Sequence, residues 1–213
     1  VQEKSYISFV GYPIIKTDDV VLNGSSNLDL NNFDQLENLT IDGCTLVIDH
    51  LDIRGKLELK NGAVLYSHPT TDTEEHKLNI AAGEVIIDST SKIDVSGLGY
   101  PMGYTYSSDG PTTVGTSTNY SGGSYGGYGN IHPGSLVNEV YGDFQNPDEL
   151  GSGGTSYGSD GGAGGGLVKI VANKLVLDGQ ILANGDRGND TRYAGGSGGG
   201  IKLDVVELTH TGT

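Results

Sequence analysis

The residues with the clearest potential for chemistry are tyrosines gathered in one stretch of the chain. Eight of the 12 tyrosines lie between residues 97 and 166, interleaved with Gly, Ser, Thr and Asn. A tyrosine offers a flat apolar face with a hydroxyl at its edge, and it loses little entropy on ordering. Such rings either stack on a sugar or peptide, or pack together as the core of a large loop. We predict a ligand-binding surface that includes Tyr100, Tyr104, Tyr106, Tyr120, Tyr125 and Tyr128.

A second group consists of acidic and amide side chains in glycine-rich turns. The segment 184–190 has the sequence NGDRGND, and Asp160 comes directly before a glycine block. Carboxylate and backbone oxygens in such turns are ligands for Ca²⁺, although no EF-hand loop is present. Solvated turn residues are the alternative. Calcium is the one cofactor that this pattern suggests, with ligands from Asp160, Asp186, Asn189 and Asp190.

The residue types used in zinc and hydrolytic chemistry are scattered. The five histidines form no His-x-x-x-His pair, and the single cysteine, Cys44, excludes an intramolecular disulfide and a Cys-based metal site. Asp143 with Asp148 or Glu149 is the only acidic cluster near the tyrosines. We therefore expect a non-catalytic protein without zinc. The alternative is a polysaccharide lyase or glycoside hydrolase, which requires a basic residue or a close carboxylate pair.

The charge distribution narrows the possible partners. The formal net charge is −15, and no Lys or Arg occurs from Ile93 to Val168. Nucleic acids and anionic membranes are bound through clustered cations, so neither is an expected partner. No apolar run approaches the ~20 residues of a membrane span, so membrane insertion is not expected. Neutral polymers and cations remain as the predicted partners.

Repeated short strands must position these groups. Each repeat has the pattern apolar-x-apolar, followed by a polar residue and a turn former, which is typical of a half-buried strand and its corner. The four copies are Leu39–Ile41, Leu57–Leu59, Val85–Ile87 and Leu175–Leu177, and Val205–Leu208 is a fifth. Each of the four is followed by a second apolar pair: Leu46/Ile48, Val64/Tyr66, Ile93/Val95 and Ile181/Ala183.

Strands of three to five residues with unequal loops predict an all-β protein of the right-handed parallel β-helix type. We expect a single domain over residues 1–213, with 1–35 as a cap or lead-in and 97–166 as a Gly/Tyr-rich insertion. The alternative is an antiparallel β-sandwich, for which Asn61-Gly62 and Asn184-Gly185 offer two-residue hairpin turns.

Two glycine blocks precede apolar strands. Residues 161–166 are GGAGGG and residues 195–200 are GGSGGG, and the blocks begin 34 residues apart. The first block lacks the Lys-Ser/Thr of a phosphate-binding loop. Glycine permits close approach of another backbone, so we predict that one block stacks on the other.

Three segments together resemble glycine-rich β-helix regions of large bacterial cell-surface and adhesin-like proteins: Val85–Tyr100, Tyr141–Gly154 and Gly161–Gly166. The resemblance covers roughly residues 36–213. It implies extracellular display on a bacterial surface, as a segment of a larger protein. We therefore expect a surface module that binds a glycan or other cell-surface polymer through its tyrosines. A purely structural stalk segment is the alternative.

Overall fold

The protein is built from β-strands. A computed structural model describes residues 19–23, 27–29, 33–156, 161–188 and 194–210. Within these ranges no helix occurs, so none is available that could cross a membrane. The strands are β1 (Asp19–Asn23), β2 (Asn27–Asp29), β3 (Phe33–Leu36), β4 (Asn38–Asp42), β5 (Thr45–Val47), β6 (His50–Lys60), β7 (Val64–Tyr66), β8 (Leu78–Ile87), β9 (Lys92–Asp94), β10 (Leu167–Leu177), β11 (Gln180–Leu182) and β12 (Gly200–Thr209).

The strands form two parallel sheets. The first has the order β1-β4-β6-β8-β10-β12, with β3 also paired to β6, and the second has the order β11-β9-β7-β5-β2. From β4 onward the chain alternates between the two sheets, and it returns to each beside the previous strand. The all-β prediction is confirmed. The antiparallel sandwich is wrong, because each strand pair in the described ranges is parallel and one isolated bridge, between Thr105 and Thr112, is antiparallel.

The predicted repeats stack in register. Leu39 pairs with Leu57, Leu57 with Val85, and Val85 with Leu175. All four side chains are fully buried, and each contributes roughly 1.5–3 kcal/mol from burial. Leu208 continues the row beside Leu175 but is 54% exposed, since β12 is the last strand of the sheet. In-register pairing from rung to rung thus produces a continuous apolar column, although the loops between the rungs differ in length.

One predicted pair has the wrong phase. The sequence pattern placed Val64 and Tyr66 toward the core, but both are only half-buried, whereas Leu65 between them is fully buried. Leu65 pairs with the buried residues Leu46 and Ile93 on the neighbouring strands. In a strand of three residues, the stacked neighbours decide which face turns inward.

The strands of the first sheet are longer than predicted. β6 spans 11 residues, because Leu51 and Ile53 are buried ahead of the predicted pair Leu57 and Leu59. The alternation breaks between the two pairs, where the register with β8 shifts between Ile53 and Lys56. Because of this shift, a strict alternation pattern in the sequence does not include the first half of β6.

A polar corner after β8 caps the backbone of the preceding rung. Asp88 accepts hydrogen bonds from the amide of Asn61 (2.8 Å) and from the amide and hydroxyl of Thr90 (2.9 and 2.8 Å). The Thr90 hydroxyl also accepts from the amide of Gly62 at 2.9 Å. Asn61 and Gly62 both have positive φ, and a turn of this kind leaves its amides without partners in the sheet. The side chains of one rung therefore provide hydrogen-bond acceptors for the backbone amides of the neighbouring rung's corner.

We expect Asp88→Asn to remove part of the acid sensitivity of folding. Burial raises the pKa of Asp88, but the hydrogen bonds from Asn61, Ser91 and Thr90 outweigh it and lower the pKa from 3.8 to about 2. A depressed folded-state pKa stabilises the fold above the unfolded value, and this stabilisation is lost as the pH falls from about 4 toward 2. After allowance for solvent screening the contribution is ~1 kcal/mol. Urea unfolding of both proteins at pH 5 and pH 2 measures it.

The control is Asp72→Asn, because Asp72 is an exposed loop carboxylate. Its unfolding free energy is expected to change with pH as the wild type's does. Parallel pH curves for the wild type and Asp88→Asn would contradict the assignment.

Candidate functional site

A long insertion separates β9 from β10, and no strand occurs in the residues of it that the structure describes. Its described part, residues 95–156 and 161–166, is joined to the sheets by backbone hydrogen bonds between glycine-rich segments. The Gly165 amide donates to the carbonyl of Ser197 (2.9 Å), and Gly151 donates to Gly165 (2.9 Å). We call the three segments 151–154, 161–166 and 194–200 the glycine stack.

The glycine stack leaves no room for side chains at several positions. A Cβ on Gly199 would overlap the carbonyl oxygen of Gly166, and one on Gly164 would overlap that of Gly151. Gly198 differs, because the nearest atom to its Cβ position, the carbonyl oxygen of Ala183, is 3.8 Å away. The predicted stacking of the two glycine blocks is confirmed. The blocks fasten the insertion to the sheets by bringing backbones into direct contact.

An aromatic cluster lies above the glycine stack, with Tyr141 at its centre. Its ring stacks on Tyr106 at 5.3 Å between centroids, and it contacts Tyr125 at 5.3 Å and Tyr100 at 6.5 Å. The Tyr141 hydroxyl donates to the carbonyl of Leu150 at 2.5 Å. Burial raises the pKa of Tyr141 above its usual range, so the hydroxyl stays neutral. The predicted ligand-binding set did not include Tyr141, because this residue stands apart from the dense Tyr/Gly run.

The Asn138 side chain holds the loops around this cluster together. Its Oδ1 accepts from the amide of Ser124 (2.7 Å) and from the hydroxyl of Ser117 (3.1 Å). The two hydrogens on its Nδ2 are shared among four acceptors within hydrogen-bond distance: the hydroxyls of Thr105 (3.2 Å) and Ser152 (3.1 Å), and two carbonyl oxygens. Asn138 is fully buried, so these bonds are shielded from water. One amide thus links four separate turns of the insertion.

A cleft of about 340 Å³ opens beside the aromatic cluster. The Tyr125 ring packs on Gly142 at one side, where a Cβ would lie 3.1 Å from the ring carbon Cδ2. Phe144 is 89% exposed and adds a second aromatic face. The lining consists of Tyr125, Gly126, Gly142, Asp143, Phe144, Pro147, Gly198, Gly199, Gly200 and Ile201. We call this the aromatic cleft; aromatic rings, bare backbone, the aliphatic side chains of Pro147 and Ile201, and one carboxylate form its walls.

Burial and neighbouring charges determine the protonation states of the groups around the aromatic cleft. Burial and the charges of Glu149 and Asp148 raise the pKa of Tyr125 to about 12, so its hydroxyl is a neutral donor at physiological pH. A hydrogen bond from Lys169 lowers the pKa of Asp148, which therefore stays ionised. Glu149 Oε2 is buried without a hydrogen-bond partner among the described residues.

Two of the six predicted tyrosines face the interior. Tyr100 is fully buried and donates its hydroxyl to Glu75 Oε1 at 2.5 Å. Tyr104 is half-buried and packs against Tyr100 and Leu150. Both rings pack within the aromatic cluster, and the fully buried Tyr100 is not available to contact a ligand directly.

The other four differ in their surroundings. Tyr106 is 39% exposed beside Tyr141, and Tyr125 lines the aromatic cleft. Tyr120 lies instead against the ring of His132, 5.3 Å away, and Tyr128 is 71% exposed outside the cleft lining. Of the predicted set, the structure therefore gathers Tyr100, Tyr104, Tyr106 and Tyr125 around one centre.

No protein-family model matches the chain, and comparisons with curated proteins and with solved structures find no match either. The assignment of function therefore rests on the geometry of the chain itself.

One predicted calcium ligand lies in the described ranges. Asp186 is exposed, and its carboxylate packs against Gly97, where a Cβ would lie 2.6 Å from the carboxyl carbon. The other three, Asp160, Asn189 and Asp190, lie outside the described residues.

A cluster that sequence reasoning missed lies at the other end of the chain. Asp49, His68 and His76 place one ligand atom each within 4.8 Å of the others. The residues are 19 and eight positions apart, so no local motif announces them. The available signal was the rung repeat of about 18 residues, which brings Asp49 and His68 to neighbouring corners.

Proposed function

We propose that the two sheets wind as a right-handed parallel β-helix and that the chain is a non-catalytic module of a larger bacterial cell-surface protein. Its aromatic cleft binds a neutral glycan or a similar cell-surface polymer. The alternation of strands between two parallel sheets supports the winding. The handedness follows the general rule that about 98% of parallel crossovers are right-handed. The resemblance to bacterial surface β-helices supports the extracellular location.

The composition of the aromatic cleft carries the proposal for the ligand. Sugars present apolar C–H faces and a rim of hydroxyls, which match a ring face beside hydrogen-bonding groups. Phe144 and Tyr125 supply the rings, Asp143 is an acceptor, and the Tyr125 hydroxyl is a donor. None of the residues that line the described cleft is cationic, which favours a neutral glycan over an acidic one.

The state of the neighbouring acid supports binding without catalysis. A general acid in a glycoside hydrolase needs a raised pKa, whereas that of Asp148 is lowered by Lys169. Glu149, whose Oε2 is buried, is the group through which the enzymatic alternative is testable. Release of reducing sugars from a polysaccharide, abolished in Glu149→Gln or Asp143→Asn, would establish an enzyme in place of a binding module.

A stalk role is the second candidate, favoured by the edge strand β12. In the described part of the chain, β12 is paired on one side only. Ile201, Val206 and Leu208 on this strand are exposed. A ten-residue parallel edge with apolar side chains fits the addition of further rungs. This arrangement supports a position within a longer solenoid.

We expect Phe144→Ala to weaken glycan binding without affecting folding. Phe144 is almost fully exposed, so its removal costs little stability. Loss of a stacking face in the aromatic cleft is expected to reduce affinity about tenfold, or ~1.4 kcal/mol. A glycan array identifies the ligand for the wild type, and titration calorimetry with that glycan measures the change.

Tyr128→Ala is the matched control, because it removes another exposed ring outside the cleft lining. It is expected to bind as the wild type does. An array without any hit, or an equal loss of affinity in both variants, would count against the aromatic cleft as the binding site.

A further inference from the structure

Asp49, His68 and His76 place a carboxylate and two imidazoles around one point. Asp49 Oδ2 lies 2.7 Å from His76 Nδ1, and Asp49 Oδ1 lies 3.2 Å from His68 Nδ1. The two imidazole rings are 5.5 Å apart and inclined at 49°. All three side chains are half-buried, so they are shielded from bulk solvent yet accessible to a small ion.

The fold holds the three residues in place before any ion binds. Asp49 stands at the corner between β5 and β6, and its backbone carbonyl accepts from the amide of Asn79 at 2.9 Å. The His68 amide donates to Asp49 Oδ1 at 2.8 Å. The loop of residues 67–77, between β7 and β8, supplies both histidines, and the Thr70 hydroxyl accepts from the amide of His76 at 3.1 Å. The ligand atoms therefore belong to backbone positions that the rungs fix.

We infer that Asp49, His68 and His76 form a binding site for a divalent transition-metal ion of the Zn²⁺ kind. Two imidazole nitrogens and a carboxylate oxygen are a common donor set for such ions and a poor one for Ca²⁺. Metal–ligand bonds of about 2.0–2.2 Å put neighbouring donor atoms roughly 3.3 Å apart in a tetrahedron. Asp49 Oδ1 is already at that distance from His68 Nδ1, and Asp49 Oδ2 lies closer to His76 Nδ1, at 2.7 Å, so binding needs only a small separation of this second pair.

Metal binding requires a change of tautomer. A nitrogen that coordinates the ion cannot also bear a hydrogen, so each neutral ring keeps its hydrogen on Nε2. On His76 this hydrogen then faces Glu74, whose Oε2 lies 3.9 Å from Nε2. A carboxylate that accepts from this second ring nitrogen is the usual support for a metal-bound histidine, and the exposed Glu74 side chain would have to move closer to make that hydrogen bond. Three protein ligands leave the fourth position of a tetrahedral ion for water.

The site would fasten the 67–77 loop to the rung below. Glu75 of the same loop accepts the hydrogen bond of the buried Tyr100 hydroxyl at 2.5 Å. A metal-bound loop thus also supports the aromatic cluster from beneath. The ion stabilises the folded state in proportion to its affinity, because the unfolded chain does not hold the three ligands together.

Titration calorimetry of the full chain with Zn²⁺, without a histidine tag, tests the site. We expect saturable binding of one ion per chain and a higher melting temperature with Zn²⁺ than with a chelator. His68→Ala and His76→Ala are each expected to weaken Zn²⁺ binding by about 100-fold or more, because loss of an outer-shell partner alone costs 10–100-fold. In Co²⁺-loaded protein, the visible absorption spectrum reports nitrogen and oxygen ligation independently.

His132→Ala is the matched control, because His132 is a loop histidine that contacts the Tyr120 ring. It is expected to bind Zn²⁺ as the wild type does. Asp49→Asn distinguishes ligand loss from misfolding: it is expected to keep the melting temperature of the chelated wild type and lose the shift with Zn²⁺. Absence of binding to the wild type, or equal weakening in His132→Ala and His76→Ala, would overturn the assignment.

Discussion

Gly199→Ala is expected to destabilise the protein by about 3 kcal/mol or more. The new methyl group would overlap the carbonyl oxygen of Gly166 and lie 2.5 Å from the carbonyl carbon of Gly165. Both obstacles are backbone atoms, so no side chain can rotate to make room. To accept the methyl, the glycine stack must separate, and the Gly199–Ala183 hydrogen bond of 2.7 Å is lost with it. Urea unfolding followed by circular dichroism measures the free energy of unfolding.

Gly198→Ala is the matched control, one residue away. Its Cβ would meet nothing closer than the Ala183 carbonyl oxygen at 3.8 Å, which is ordinary van der Waals contact. Alanine also restricts the unfolded chain, so this variant is expected to lie within ~1 kcal/mol of the wild type. Equal losses for the two variants would show that the blocks need glycine for its flexibility and not for close approach.

Asn138→Ala is expected to loosen the insertion while leaving the sheets folded. The change leaves the buried Ser124 amide without its acceptor, and it removes one of the partners of the Thr105 and Ser152 hydroxyls, which still bond to each other at 2.6 Å. A buried polar group without a partner costs about 1–3 kcal/mol, and the Ser124 amide bears this cost. Hydrogen–deuterium exchange measured by peptide is expected to rise over the insertion and stay unchanged in β6 and β8.

Asn130→Ala serves as the control, because Asn130 is exposed on the same insertion. Its exchange profile is expected to match the wild type. If Asn138→Ala instead accelerates exchange equally in the sheets and the insertion, the two unfold as one unit. The description of Asn138 as a local link would then be wrong.

The sequence predicted the rungs well because the signal is local and repeated. The alternation in Leu57–Leu59 and Val85–Ile87 fixes both the strand and its inward face, and parallel stacking then fixes the register. Where the run is three residues long, as in β7, local alternation fits either phase. The buried Leu65 was identified only by its neighbours in adjacent rungs.

The candidate sites were harder to predict, because their residues are distant in sequence and come together only when the rungs and loops stack. The tyrosines pointed to the right region, yet composition gives no means to tell the buried Tyr100 from the exposed Tyr106. Nothing in the local sequence distinguishes Asn138 from other loop asparagines, because its hydrogen-bond partners lie in four separate turns. Asp49 and His76 are 27 residues apart and meet because two corners of unequal loop length coincide.

The insertion has a consequence for the resistance of the chain to proteolysis. Exposed loops are where proteases usually cut, and trypsin-like enzymes cut only after Lys or Arg. From Ile93 to Val168 no such bond exists. The flanking cations, Lys92 and Lys169, lie within paired strands and are held by Asp94 and Asp148. The part of the protein richest in loops therefore offers these enzymes no site, and its nearest sites are protected by the sheets.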